Sequence, residues 1–259
     1  MDNYTDYGQG NNNMNRPSDN GFKEYGTNYD DYNNGGYDQY NQYSGGYAAA
    51  FDAQAGLMSD RSFYSAIYAF LLWGFGMNWV LCNFFSEMIM GIDFRVLLIG
   101  YVVLCFAGIF VSKSRNIAIA FIGYNMIVLP IGALLTVVVA GYNPLIVQYA
   151  LIGTAAISVG MMIVGFIMPQ VFYSLGKTLC ASLLIVIIVE LIMTLLGFST
   201  GVIDYIVVGI FALYIGYDMS KASVAQRDLR GALGVAIELY LDIINIFIRL
   251  LRILGKSRN

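Results

Sequence analysis

No charged side chain occurs between Asn116 and Gly176, and a stretch so long without charge has no place on the surface of a water-soluble fold. It is also too long for a single membrane crossing, which needs about 20 apolar residues as helix. Gly141-Tyr142-Asn143-Pro144 supplies the turn chemistry that splits it into Ile117–Ala140 and Leu145–Met168. Apolar runs of similar length flank this region at Phe63–Phe85, Val96–Val111, Thr178–Phe198, about Val202–Met219 and about Gly231–Leu254. The sequence therefore predicts an all-α integral membrane protein of seven transmembrane helices in a compact antiparallel bundle. Composition agrees: 58% of the residues are hydrophobic and 12% charged, and the mean hydropathy of +0.63 is too high for one core in water.

The first sixty residues differ in kind. Residues 1–60 hold nine acids against Arg16 and Lys23, and residues 1–50 are Tyr, Asn, Gly, Asp and Gln with almost no aliphatic side chain. Such a segment cannot bury enough area to offset its ordering entropy, so a disordered acidic tail over 1–60 and a membrane domain over 61–259 are expected. A basic start followed by an apolar run is missing, so the tail does not read as a signal peptide. The net charge of −3 gives no sign of a nucleic-acid surface.

The chain has no histidine, which removes Ser-His and Cys-His catalysis, His-ligated metals and imidazole proton switching. Cys82, Cys105 and Cys180 lie far apart in apolar runs and read as packing residues rather than as a disulfide or a metal cage. No cofactor is indicated.

Basic loops stay on the cytoplasmic side. With seven crossings the tail shares its side with Lys113 and Arg115, Lys177, and Lys221, Arg227 and Arg230, whereas the opposite loops carry only Arg95. The tail is thus expected in the cytoplasm and the C-terminus outside. Arg249, Arg252, Lys256 and Arg258 argue the other way, and a re-entrant last helix would put both termini inside.

Ionisable residues within membrane spans are costly and mark functional sites. Four carboxylates qualify: Glu190, Asp218, Glu238 and Asp242. Asp218 and Asp242 lie on consecutive antiparallel helices at equal distances from a turn centred near Arg230, which predicts a similar depth. Two carboxylates brought within a few Å cannot both ionise easily and share a proton, which would make a proton sensor without histidine. On the last helix Glu238, Asp242, Asn245, Arg249 and Arg252 fall on one face, opposite an apolar one. That stripe must meet protein or water, so the helix is expected in the middle of the bundle, lining a path. The same residues could instead be interhelical glue. Glu190 reads either as a protonated carboxyl bonded to another helix or as a second site in the same cavity. Asn125 reads as helix glue.

These residues carry a likeness. Tyr214-Ile215-Gly216-Tyr217-Asp218, followed after a basic loop by Leu239-Tyr240-Leu241-Asp242-Ile243-Ile244-Asn245-Ile246-Phe247-Ile248-Arg249-Leu250-Leu251-Arg252, resembles the closing signature of the transmembrane Bax inhibitor motif family. The resemblance extends over residues 60–255 and excludes the tail. It implies two groups of three helices around a central seventh, with Asp218 and Asp242 as a pH-sensitive pair and transient calcium site, and Lys113 or Arg115 as a basic latch. The acidic residue often found in the second helix of such proteins is replaced by the apolar Val102, Val103 and Leu104, while Glu190 and Glu238 look additional.

The leading expectation is a pH-gated leak channel for cations, with calcium as the permeant ion, because hard cations take oxygen ligands. Glu238, Glu190 and Asn245 would extend the ion path. The alternative is a non-transporting regulator that binds other membrane proteins, such as a protease or stress-response complex. An intramembrane aspartyl enzyme is disfavoured, since Gly216-Tyr217 precedes Asp218 where a Gly-x-Gly-Asp setting would be needed. The lipid bilayer is the expected environment. A bacterial inner membrane is the expected location, with an internal eukaryotic membrane as the alternative.

Overall fold

The computed structural model describes residues 57–196 and 201–256, without the side chains of residues 191 and 194. The expected disordered tail lies outside the described residues up to residue 56. Among the described residues the chain is all helical: α1 (Asp60–Phe84), α2 (Ser86–Met90), α3 (Phe94–Ser112), α4 (Ile117–Ala140), α5 (Pro144–Ile167), α6 (Pro169–Ser174), α7 (Gly176–Leu195), α8 (Gly201–Ala222) and α9 (Leu229–Lys256). Six of these, α1, α3, α4, α5, α8 and α9, are long and apolar enough to cross a membrane. The segment expected as the fifth crossing is helical as α7 but is not among the six, and its expected end at Phe198 lies outside the described residues.

Local chemistry fixes the helix starts. Ser59 caps α1, its hydroxyl accepting from Ser62 N at 3.2 Å. Asp93 caps α3 through Arg95 N at 2.8 Å. Asn116 caps α4 through Ala118 N at 2.8 Å. Asn143 caps α5 through Leu145 N at 2.9 Å, with Pro144 in the first turn. Each cap satisfies a backbone N–H that lacks an intrahelical acceptor, which matters most in a medium without water.

α9 packs against α1 and α4 on one side and α5 and α8 on the other. It is buried over 67% of its most apolar stretch, against 11% for α3. It runs unbroken for 28 residues, about 42 Å at helical rise. Phe63, Ile67 and Leu71 of α1, Tyr124, Ile127 and Ile131 of α4, and Leu233, Leu239, Tyr240 and Ile246 of α9 form the common core. The outward faces of α3 and α5 expose large apolar side chains, including Phe106, Phe110, Ile152 and Ile163, as suits hydrocarbon. α5 and α8 approach at Gly165 and Gly216, where a Cβ added to Gly165 would stand 2.8 Å from the Gly216 Cα; only small residues allow that closeness.

The turn between α8 and α9 is Ser223–Asp228, and Arg230 lies inside the first turn of α9, not at the centre of a turn. The antiparallel register nevertheless pairs Lys221 with Glu238 at 2.6 Å. The loop residues, at up to about 3.3 Å each, can cover the roughly 15 Å that α9 extends past the end of α8. Equal depth thus survives unequal helical arms.

Candidate functional site

Polar side chains on α8 and α9 gather into two clusters, one toward each end. The first sits near the C-terminus of α8. The carboxyls of Asp218 and Asp242 lie close enough to interact directly, and the two residues are only 3% and 7% exposed. Lys221, one turn beyond Asp218, places Nζ 2.8 Å from Asp218 Oδ1 and 2.6 Å from Glu238 Oε2, and also stands 4.8 Å above the Tyr217 ring. Asp242 Oδ2 is buried and receives no hydrogen bond from a protein donor among the described residues. The Lys221 ammonium is offset onto Asp218 and Glu238.

The second cluster joins α7, α8 and α9. Asp204, in the first turn of α8, is fully buried. Arg249 donates from Nη1 and Nη2 to Glu190 at 2.7 and 2.8 Å, and from Nη1 to Asp204 at 3.0 Å. Arg252 stands 3.3 Å from Asp204 and 3.6 Å from Glu190, and Lys256 lies 3.4 Å from Asp204. Asp204 and Asp218 are about 20 Å apart along the helix. Between the clusters α8 and α9 bury Val207, Ile215, Ile243, Ile246 and Phe247, an apolar layer with no charge.

One family's sequence model, described as inhibitor of apoptosis-promoting Bax1 (Bax1-I), matches residues 60–259. The chain belongs to this Bax inhibitor family. Membership makes it a non-enzymatic membrane protein. This Bax inhibitor family member is 30% identical over 136 residues to an uncharacterized membrane protein of Streptococcus pyogenes serotype M3, covering 49% of this chain and 58% of that one. It is 29% identical over 166 residues to an uncharacterized protein of Helicobacter pylori strain J99, covering 59% and 68%. The chain spans little more than half the length of the streptococcal relatives it matches.

Of the residues singled out from sequence in this Bax inhibitor family chain, the fold brings Asp218, Asp242 and Glu238 together and sends Glu190 to the far cluster. Lys113 and Arg115 are exposed at the end of α3 and form no ion pair among the described residues; the cation against the aspartates is Lys221, whose place in the α8 register puts it one turn from Asp218. Asn245 donates to Leu241 O of its own helix at 2.8 Å and joins neither cluster. Asn125 accepts from Trp73 Nε1 at 3.1 Å and so ties α4 to α1. No group of three or more acidic or cysteine side chains able to hold a metal occurs among the described residues. Calcium prefers six to eight oxygens, and Lys221 Nζ occupies the cation position beside Asp218. The arrangement is therefore unlike a resident calcium site.

Asp204 was not singled out from sequence. The register that pairs 218 with 242 also pairs 204 with 256, so the same arithmetic run outward along both helices finds it. The basic residues at the end of α9 are bound up with it: Arg249, Arg252 and Lys256 all face Asp204, and Arg249 and Arg252 also face Glu190.

Proposed function

We propose that this protein is a pH-sensitive cation leak pathway, with calcium as the permeant ion, gated at the Asp218–Asp242 pair. The observation that carries the reading is the juxtaposition of two buried carboxyls on adjacent helices, beside a lysine that already satisfies one of them. In the proposed closed state, a shared proton and Lys221 hold α8 against α9, and the apolar layer of Val207, Ile246 and Phe247 blocks passage. Loss of the shared proton leaves two anions in contact, and their repulsion drives α8 and α9 apart. A passing calcium ion then competes with Lys221 for the carboxylates, so Lys221 acts as a tethered cation in the role that the family resemblance implied for Lys113 or Arg115. Glu238 anchors its other side.

In this reading α7 is the remaining crossing, giving seven with α9 central, and the tail, the α1 start and the α8–α9 loop share the cytoplasmic side of a bacterial inner membrane. The Asp60–Arg227 ion pair at 3.1 Å supports a common side for the last two. The contact that a Gly255 side chain would make with Tyr142 of the α4–α5 turn supports an opposite side for the C-terminus. The test is calcium entry into liposomes carrying the purified full chain at several pH values. Entry above that of protein-free liposomes, varying with pH, is expected. Entry no greater than the control at every pH refutes the proposal in favour of a non-transporting regulator.

A further inference from the structure

A lateral groove of about 570 Å³ lies between α1 and α5, within the roughly 300–1,000 Å³ of sites that hold small ligands. Tyr64 and Tyr68 of α1 form one wall and Met162, Ile163 and Phe166 of α5 the other. Met219 of α8, 2% exposed, closes its depth. The Tyr64 and Phe166 rings meet edge to face with centroids 5.6 Å apart and bridge the walls. The lining is apolar, and Tyr68, Ile163 and Phe166 are open on their outer sides. A groove of this kind opens to hydrocarbon and suits a flexible chain.

The charge at its mouth separates it from an ordinary lipid-facing crevice. Arg61 precedes Tyr64 by three residues and Tyr68 by seven, spacings that put all three on one face of α1. Arg61 is exposed and forms no ion pair among the described residues. Its neighbouring cations at this end are matched: Arg227 by Asp60 at 3.1 Å, Arg230 by Asp228 at 3.5 Å, and Lys221 by Asp218 at 2.8 Å. An exposed guanidinium one turn above an apolar groove complements a phosphate whose acyl chain lies below it, since Arg binds phosphate through paired N–H donors and basic side chains at a membrane surface attract anionic lipids.

We propose that the α1–α5 groove is a binding site for one anionic phospholipid, its acyl chain lying against Tyr68, Ile163 and Met219 and its phosphate on Arg61. A zwitterionic lipid fills the same groove but brings its own cation beside Arg61, so the site prefers phosphatidylglycerol to phosphatidylcholine.

Native mass spectrometry of the full chain, released from detergent with equal amounts of the two lipids, tests this. The wild type is expected to retain one phosphatidylglycerol several-fold more than phosphatidylcholine. Ile163→Trp, and separately Val159→Trp, both on exposed positions of the groove wall, should lose that bound lipid, while Arg61→Gln should bring the two lipids to parity without changing the number bound. Retention unaffected by either Trp substitution overturns the site, and preference that survives Arg61→Gln overturns the headgroup assignment. A lipid-free dimer whose mass shifts to monomer with Ile163→Trp means that a second copy fills the groove, and also overturns the proposal.

Discussion

Arg249→Met tests the far cluster most sharply, because it removes the side chain that makes the shortest contacts to two acids from two helices. Arg249 is 15% exposed and makes three short contacts, two to Glu190 and one to the fully buried Asp204. Breaking a buried ion pair by removing one partner costs about 3–5 kcal/mol, because the other charge is left without compensation. Arg252 at 3.3 Å and Lys256 at 3.4 Å still face Asp204, so the low end applies, about 3 kcal/mol. For a domain of this size that corresponds to a fall of about 6–12 °C in the midpoint of thermal unfolding. The assay is unfolding of the detergent-solubilised full chain, followed by the fluorescence of Trp73 and Trp79. Glu190→Gln in the Arg249→Met background should recover part of the loss, since replacing both members of a buried pair by neutral groups is close to neutral. A midpoint within about 2 °C of wild type for Arg249→Met, or a further drop on adding Glu190→Gln, would refute the claim that this cluster holds α7 and α8 to α9.

Three further outcomes follow from the same structure. Lys221→Met removes the tethered cation from Asp218 and should raise basal calcium leak in liposomes, whereas Lys113→Ala should leave it unchanged; the reverse pattern would restore the latch to the end of α3. Gly165→Ala inserts a methyl against the Gly216 backbone and should lower stability by about 1–3 kcal/mol, read as a lower unfolding midpoint, with no change meaning that α5 and α8 do not meet there. Deleting residues 1–50 should leave both unfolding midpoint and calcium flux unchanged, because the Ser59 cap and the Asp60–Arg227 pair that start the membrane domain lie beyond the cut.

The limits of α4 coincide with those read from sequence, because Asn116 and the Gly141-Pro144 turn are local signals that do not depend on the rest of the fold. The 218/242 pairing was legible for a different reason: antiparallel neighbours share a register, so positions alone predict contact. That it holds with the turn displaced to Ser223–Asp228 reflects the reach of extended chain compared with helix. Lys221 was hidden because a lysine at the end of a span reads as a topology marker, and only its position one turn from Asp218 turns it inward. Asp204 was hidden at the edge of a span, where an acid ordinarily meets water, and its burial depends on α7 and α9 closing over it. Which side of a helix meets lipid, as with the groove beside Tyr64 and Tyr68, depends on which helices are absent from that side, and no local pattern carries that information.

The central claim is that the shared proton between Asp218 and Asp242 sets the flux. The measurement is calcium entry into proteoliposomes across a pH series for wild type, Asp218→Asn and Asp242→Asn, each substitution keeping the shape and hydrogen-bonding capacity of the side chain while removing its ability to ionise. Wild-type flux should be lowest where the pair holds one proton and should rise over about one to two pH units as that proton is lost, and each Asn variant should flatten the curve. Wild-type pH profiles in both variants would contradict the account and reduce the two aspartates to packing residues between α8 and α9.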